Sequence, residues 1–186
     1  SGEKLEQIRA RFGFLFQGGA LLQWLTTGDN VALPLRERTD KSDEEIDELV
    51  LEKLRLVGLE DAIEKSPSDL SGGMKKRVGL ARAIITNPEI ILYDEPTSGL
   101  DPVTSRTIDT LIDDLRKQLG VTSIVVTHDL HSALAIGTRI AVLNNGNIVE
   151  ISTPEEFVRS ENEFVRSFLD SQYITKRGEW EGDLKS

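Results

Sequence analysis

Apolar and polar residues repeat with two different periods along the chain, and each period predicts a different element. From Ser42 to Gly58 the apolar residues recur every three or four positions, which predicts a helix with one buried face. Ser42 or Asp43 can cap this helix, acidic residues fill its first turn, and Gly58 can end it. The predicted buried face consists of Ile46, Leu49, Val50, Leu54 and Val57.

Two continuous apolar runs, "EIILY" and "TSIVVTH", have the length and composition of strands that are covered on both faces. Between them a stripe of apolar residues predicts a helix from about Val103 to Leu119, ending near Gly120. This order of strand, helix and strand indicates an α/β fold with a mostly parallel sheet and right-handed crossovers. The earlier segment "RFGFLF" is compatible with one more strand.

The remaining segments are predicted as loops, short helices and a hairpin. The stretch "QGGALLQWLTTGDNVALPL" is loop-like, and Pro34 should interrupt any helix there apart from a short one. A helix that follows "LSGGMKKR" should stop at Asn87-Pro88. A short helix is predicted at "DLHSALAIG" and a hairpin about Asn145-Gly146. Two further helical patterns cover residues 154–160 and 163–171.

Composition narrows the class of protein. The 186 residues are 38% hydrophobic and 29% charged, which is typical of a folded globular chain. No apolar run reaches the roughly 18 to 20 residues that span a bilayer, and no secretory signal is visible. The absence of cysteine excludes disulfides and thiolate metal sites. The net charge of −10 disfavours binding to nucleic acid through the phosphate backbone.

Paired acids end the first buried strand. In "IILYDEP", Asp94 and Glu95 are delivered to the carboxyl edge of the sheet, where open α/β folds bind ligands. Asp94 can hold Mg²⁺ through oxygen ligands, and Glu95 can polarise an attacking water. The alternative is a strand end with two solvated acids.

Two further candidates follow the strands. In "TSGLDP", Asp101 can cap a helix that begins with a proline, and this structural interpretation is sufficient by itself. In "IVVTHDL", His128 ends the second strand and could bind a phosphate oxygen or orient a water. A lone histidine at a strand end is more often structural, but its position one strand from Asp94 and Glu95 favours a role in a site.

The stretch "LSGGMKKR" combines glycines with the start of a helix. Backbone N–H groups at a helix N-terminus form an anion site, and glycines let a phosphate approach closely. The Ser71 hydroxyl could donate to that phosphate, and Lys75, Lys76 and Arg77 would add positive potential if they lie on one side. The alternative is a glycine-rich turn with a solvated basic face.

Together these segments resemble one family, the ATP-binding cassette (ABC) ATPases that power membrane transporters. "LSGGMKKRVGLARAI" resembles the family signature, "IILYDEP" Walker B, "SGLD" the D-loop, "IVVTHD" the switch-histidine region and "GFLFQ" the Q-loop. The motifs occur in the family's order over roughly residues 11–151. The resemblance implies a P-loop NTPase-like core with an α-helical signature subdomain, truncated at the N-terminus.

The resemblance also implies roles for particular residues, with ATP and Mg²⁺ as cofactors. Asp94 would hold Mg²⁺ through water, and Gln17 would sense metal and water and couple to the membrane subunit. Glu95 would polarise the attacking water, and His128 would contact the γ-phosphate. In the family two cassettes close head to tail around two nucleotides. The residues facing the nucleotide of the second subunit, or lying at the dimer contact, would be Ser71, Gly72, Gly73, Met74 and Asp101.

The domain organisation implied by the resemblance has four parts. Residues 1–17 would end a core segment, 18–87 would form the helical subdomain, 88–152 the C-terminal half of a RecA-like core, and 153–186 a helical tail. The subunit would be a cytoplasmic ATPase held at the inner face of the membrane by a transmembrane permease. "FGFLFQGGALLQWLTTGDNVALPLRE" and the tail "FVRSFLD" most resemble ATPases of lipid importers that pair with MCE proteins, the Mla type. Alternatives are a polar amino-acid importer ATPase and a non-catalytic regulatory module.

One family motif is missing from these residues. No G-x-x-x-x-G-K-[ST] occurs, and the dipeptide Gly-Lys is absent. That loop supplies the backbone cradle, the lysine and the hydroxyl that hold the nucleotide phosphates. We therefore expect the chain by itself to neither bind nor hydrolyse ATP appreciably, and we expect it to be a fragment of a longer active ATPase. Apolar faces that the missing part would cover are expected to be exposed and to favour self-association.

Overall fold

The computed structural model describes residues 2–174, which form two compact units divided between Val126 and Thr127. The first unit contains a parallel sheet and most of the helices. Its strands are β1 Phe12–Leu15, β2 Ile90–Asp94 and β3 Thr122–Val126. Its helices are α1 Gly2–Ala10, α2 Thr27–Arg38, α3 Asp43–Leu56, α4 Gly72–Ile84 and α5 Pro102–Leu119, with 3₁₀ turns at Glu60–Ala62 and Pro67–Asp69.

The three strands of the first unit run parallel in the order β1-β2-β3, which confirms the predicted parallel α/β sheet. In the central row of the sheet Phe14 pairs with Leu92, and Leu92 pairs with Ile124. Because all three strands run in one direction, their carboxyl ends meet at one edge. The predicted strand "RFGFLF" exists but is shorter, and the helix before it was not predicted.

The two faces of this sheet differ. One face lies against α4, so closely that a Cβ on Gly13 would be 2.2 Å from the backbone oxygen of Ala83. On the other face, large apolar side chains remain 43–60% exposed: Phe14, Phe16, Ile124 and Val126. The expected exposed apolar face is therefore present, and self-association through it stays a prediction.

Residues 17–35 were predicted to be loop-like, with Pro34 interrupting any helix apart from a short one. This prediction is wrong for helix α2, which has 12 residues and continues through Pro34 to Arg38. Tertiary hydrogen bonds hold its first turn. The N–H of Thr27 donates to the Lys65 carbonyl, and the buried amide of Asn30 donates to the carbonyls of Leu22, Leu25 and Thr26. These bonds offset the one that Pro34 cannot donate.

Helices α3 and α5 confirm their predictions. Ser42 caps α3 in a reciprocal capping box with Glu45, and the predicted face is buried except for the half-buried Leu49. Helix α5 begins with Pro102 and ends at Gly120 with a φ of 66°. Helix α4 ends at Ile84, before the predicted stop at Asn87.

The second unit is a hairpin with short helices. Its elements are α6 Leu130–Ile136, β4 Ile140–Asn144, β5 Asn147–Ser152, α7 Pro154–Phe157 and α8 Glu163–Ser171. The predicted turn is confirmed, because Asn145 and Gly146 both have positive φ between the antiparallel strands. Helix α7 is shorter than the predicted 154–160, and α8 has its predicted bounds. Of the predicted tail 153–186, residues 175–186 lie outside the described residues.

Candidate functional site

The carboxyl edge of the parallel sheet brings the ends of three strands together. Leu15 of β1 pairs with Tyr93 of β2, and Asp94 pairs with Val126 of β3. Gln17 follows β1 by two residues, and Asp94 is the exposed last residue of β2. The sheet therefore places the predicted site residues Gln17 and Asp94 at the same edge.

Glu95 leaves this edge with an unusual backbone conformation. Its φ is 47°, in the left-handed region that costs a non-glycine residue roughly 1–2 kcal/mol. Its N–H donates to the carbonyl of Val126 at 2.9 Å. Its own carbonyl accepts from the N–H of Ser98 at 3.3 Å and from Nζ of Lys76 at 2.7 Å. The backbone of Glu95 is thus held from both sides, which fixes the direction in which its side chain leaves the strand.

Lys76 contacts this arrangement directly through its ammonium group. It lies in α4 with only 4% of its surface exposed, and Nζ also donates to the backbone carbonyl of Gln17. Burial lowers the pKa of the Lys76 ammonium, while the carboxylates of Glu95 and Asp94 oppose that shift. Lys76 thus connects Gln17, two residues past β1, to Glu95, the residue after β2.

Gln17 and the turn that follows it are held by other side chains. Nε2 of Gln17 donates to Oγ of Ser98 at 3.3 Å. Arg82 of α4 donates to the carbonyls of Gly19 and Ala20 at 2.6 and 2.8 Å. Both carbonyls belong to residues with positive φ, and burial lowers the pKa of Arg82. The segment after β1 is therefore anchored to α4.

The signature stretch begins α4 as predicted. Ser71 is its cap, and Oγ of Ser71 accepts from the N–H of Met74 at 3.3 Å, so its own O–H proton can be donated to a ligand. Packing against neighbouring side chains also favours glycine at positions 72 and 73. A Cβ on Gly73 would lie 2.6 Å from Cγ2 of Thr104, and one on Gly72 would lie 3.2 Å from Leu100.

The three basic residues of "MKKR" do not form one positive face, so the condition for that prediction is not met. Lys76 points to the backbone of Gln17 and Glu95. Arg77 instead donates to the carbonyls of Val57 and Gly58 at 3.1 and 3.3 Å, at the end of α3. The two side chains therefore serve different parts of the fold.

Asp101 is the N-cap of α5, as the structural interpretation of "TSGLDP" predicted. Its carboxylate accepts from the N–H groups of Val103 and Thr104 at 3.0 Å each. Hydrogen bonds, led by the one from the Thr104 hydroxyl at 2.6 Å, lower the pKa of Asp101. The role of Asp101 at a dimer contact stays a prediction.

His128 belongs to the second unit and lies two residues past the end of β3. Its backbone carbonyl accepts from Nε2 of Gln172 at 2.7 Å. The next residue, Asp129, caps α6 by accepting from the N–H of His131 at 2.9 Å. The contact of His128 with a γ-phosphate stays a prediction.

The donor set at the sheet edge fits Mg²⁺. No group of three or more acidic, histidine or cysteine side chains placed to hold a metal occurs among residues 2–174. Mg²⁺ does not need one, because it commonly takes one or two protein oxygens and completes its shell with water and phosphate. The exposed carboxylate of Asp94 and the amide oxygen of Gln17 can supply those protein oxygens.

Sequence reasoning missed Lys76, Ser98 and Arg82 as residues that hold the site. For Lys76 a signal was present, because Gly73, Lys76 and Leu80 recur at helical spacing and all three are buried. A lysine on the buried face of a helix needs polar partners. Instead, the basic run was interpreted as a whole, either as positive potential for a phosphate or as a solvated face.

Comparisons with known proteins identify the family of this chain. Residues 1–98 match the family model described as "ABC transporter". The chain is 43% identical over 174 residues to the probable ribonucleotide transport ATP-binding protein mkl of Mycobacterium leprae, covering 94% of this chain and 50% of that protein. It is 40% identical over 185 residues to the intermembrane phospholipid transport system ATP-binding protein MlaF of Haemophilus influenzae, covering 100% of this chain and 67% of that protein.

A third relative is the methionine import ATP-binding protein MetN of Clostridioides difficile, 40% identical over 172 residues and covering 92% and 53%. The chain spans about half the length of mkl and MetN. Among solved structures, the dimeric post-hydrolysis state of the ATP-binding cassette MJ0796 bound to ADP and Pi matches with a TM-score of 0.72 and 39% identity, covering 83% of this chain and 68% of that one. The chain therefore belongs to the ABC transporter family.

Proposed function

We propose that these residues form part of the ATP-hydrolysing subunit of an ABC transporter. The observation that carries the proposal is the parallel register of β1, β2 and β3, which supports a common site for Gln17, Asp94 and Glu95 at one edge of the sheet. The Glu95 backbone, held by Val126 and Lys76, adds a fixed orientation to that site. The solved relative in a post-hydrolysis state supports the same reaction.

Each residue at this edge has a chemical task in the proposed reaction. Glu95 accepts the proton of the attacking water, and a positioned carboxylate of this kind contributes about 10²- to 10⁴-fold in rate. Gln17 orients that water. For His128, which belongs to the second unit, a bond to the γ-phosphate is proposed from the resemblance to the family alone. Asp94 would hold Mg²⁺, which when bound neutralises charge on the phosphate oxygens.

The signature end of α4 serves a second subunit in this proposal. The Ser71 hydroxyl and the N–H groups of Gly72 and Gly73 donate to the phosphates of a nucleotide held by the partner cassette. Met74 and Asp101 lie at the same contact. The solved relative is described as a dimer, which supports a pair of cassettes.

We further propose that the subunit energises phospholipid transport, together with a transmembrane permease and an MCE-type protein. MlaF, which is named for intermembrane phospholipid transport, matches over the whole chain. Other relatives are named for ribonucleotide transport and methionine import, so an amino-acid importer is the second candidate. No helix among the described residues is both long and apolar enough to cross a bilayer. The proposed location is the inner face of the membrane, where the permease would hold the subunit.

The test of the reaction is ATP hydrolysis by the protein expressed from its complete gene, measured as phosphate release. We expect Glu95→Gln to lower kcat about 10²- to 10⁴-fold while ATP binding is retained. Glu89→Gln is the matched control, because Glu89 precedes β2 at the opposite edge and pairs with Arg11 on the surface. An inactive wild-type protein, or equal rates for the two variants, would contradict the proposal.

The test of the substrate uses the subunit assembled with the proposed transmembrane permease. In vesicles, phospholipid transfer that stops with Glu95→Gln would support the lipid proposal. ATP-dependent uptake of methionine, with no lipid transfer, would instead favour the amino-acid importer.

A further inference from the structure

The side chain of Lys76 joins two segments that are far apart in the sequence. From the middle of α4, its Nζ donates to the carbonyl of Gln17, 59 residues away, and to that of Glu95, 19 residues away. Only 4% of the residue is exposed. A buried ammonium needs polar partners, and here they are backbone oxygens of two proposed site residues.

The bond to Glu95 falls on a backbone that needs support. Glu95 is in the left-handed conformation, which a non-glycine residue keeps only when its surroundings hold it there. Its N–H is held by Val126 at the end of β3, so the bond from Lys76 to its carbonyl completes the hold. Hydrogen bonds from a charged donor are the stronger kind.

The hydrogen bond from Lys76 to Gln17 holds the second segment, the turn that follows β1. The turn after Gln17 contains Gly19 and Ala20, both with positive φ, and Gly19 passes close to α4. A Cβ on Gly19 would lie 3.0 Å from the carbonyl of Lys75, so the turn lies directly on the helix. Because Nζ of Lys76 donates to both carbonyls, it holds the backbone of Gln17 close to the backbone of Glu95.

We propose that Lys76 is a positioning residue, which holds the backbones of Gln17 and Glu95 at a fixed spacing so that both side chains reach one site. Lys76 touches neither nucleotide nor water in this role. The positioning itself depends only on the described contacts, whereas its effect on catalysis rests on the proposed ATPase function.

The first arm of the test measures amide hydrogen exchange by NMR. In Lys76→Met, which keeps the length of the side chain but removes its donors, the amides of Gly19 and Ser98 should exchange on the order of 10- to 100-fold faster. Ser98 is informative because its N–H donates to the Glu95 carbonyl, and Gly19 because it lies in the turn after Gln17. The slowest core amides should change less than these two.

Lys53→Met is the matched control. Lys53 lies in α3, is also 4% exposed, and its Nζ contacts Glu52 at 2.8 Å rather than the site. We expect this variant to leave Gly19 and Ser98 unchanged relative to the core. If Lys76→Met does not fold, Lys76→Gln, which keeps an N–H donor on a shorter chain, should show the same local acceleration. If the amides of Gly19 and Ser98 exchange faster only by the same factor as the slowest core amides, the proposal is overturned.

The second arm measures ATP hydrolysis by the protein expressed from its complete gene. Lys76→Met should lower kcat on the order of 10- to 100-fold with little change in KM, because the nucleotide contacts remain while the water is misplaced. Wild-type kcat in this variant would overturn the catalytic consequence. If the wild-type protein is itself inactive, the ATPase proposal fails and the exchange arm alone decides whether Lys76 holds the two backbones.

Discussion

Gly13 in β1 offers a sharp test of the packing between the sheet and α4. Its missing side chain leaves room for the helix backbone: a Cβ would lie 2.2 Å from the Ala83 oxygen and 3.1 Å from Cγ of Pro88. The obstacle is a backbone carbonyl inside a helix, which cannot rotate away as a side chain can. Gly13→Ala must therefore push α4 away from β1.

The magnitude follows from the overlap. Relieving it requires a shift of roughly 1 Å in an interior that is close-packed, and such overpacking typically costs about 1–3 kcal/mol. The alanine also restricts the unfolded chain, which favours folding by about 0.4–1 kcal/mol. The steric cost is larger at the centre of the two ranges, so we expect a net loss of about 1 kcal/mol, and at most about 2.6 kcal/mol, in the free energy of unfolding.

Gly18→Ala is the control, because it lies in the same segment and a Cβ there meets nothing within 4 Å. Neither glycine has a positive φ, so alanine can adopt both conformations. We expect Gly18→Ala to be neutral or to stabilise the protein by about 0.4–1 kcal/mol. The assay is urea unfolding followed by circular dichroism, with the m-value checked for constancy. Equal stability of the two variants would refute the close approach of Ala83 to β1.

Two further predictions concern the ligand and the cap of α5. In calorimetric titration with ATP and Mg²⁺, the 186-residue chain should show no appreciable binding because it contains no phosphate-binding lysine loop, and micromolar affinity would overturn this reasoning. Asp101→Ala should lower the thermal midpoint at neutral pH, whereas Asp101→Asn should largely keep the cap. Since the folded pKa of Asp101 is lowered, its stabilisation is complete above the unfolded pKa of about 4 and is lost as pH falls through the folded value. A gap between wild type and Asp101→Ala that stays constant from pH 7 to about pH 2 would contradict the role of the ionised carboxylate.

Elements that depend on local chemistry could be predicted from the sequence. Helix α3 carries its own signals, with Ser42 and Glu45 forming the capping box and an apolar stripe marking the buried face. The parallel pair β2 and β3 followed from two apolar runs joined by the helix that Asp101 caps. In each case the residues that decide the structure are neighbours in the sequence.

Elements that depend on distant residues could not be predicted in the same way. Helix α2 continues through Pro34 because the carbonyl of Lys65 and the segment around Leu22 satisfy its first turn. No residue near Pro34 in the sequence indicates those hydrogen-bond partners. Likewise, the sequence offered Arg77 either a phosphate or solvent, whereas its acceptor is the end of α3 about twenty residues earlier.

The site was predicted unevenly for the same reason. The apolar run before them predicted Asp94 and Glu95 at a strand end, because the direction of a parallel strand decides which end meets the ligand. Gln17 was implied only by the resemblance of "GFLFQ" to the Q-loop. The left-handed backbone of Glu95 and its bond from Lys76 depend on tertiary contacts, so motif reasoning named the site residues without naming what holds them.

Helix α4 contacts the sheet and the segments after its strands along most of its length, not only at its signature end. Near its start Gly73 lies against Thr104, and near its end Arg82 holds the turn after β1. Between them Lys76 holds Gln17 and Glu95, and a Cβ on Gly79 would lie 2.6 Å from Leu15. Because these contacts occur on successive turns of one rigid helix, α4 cannot shift without moving the strand ends that carry the proposed site. A displacement of the Ser71 end of α4 would therefore reach Glu95 through a single helix.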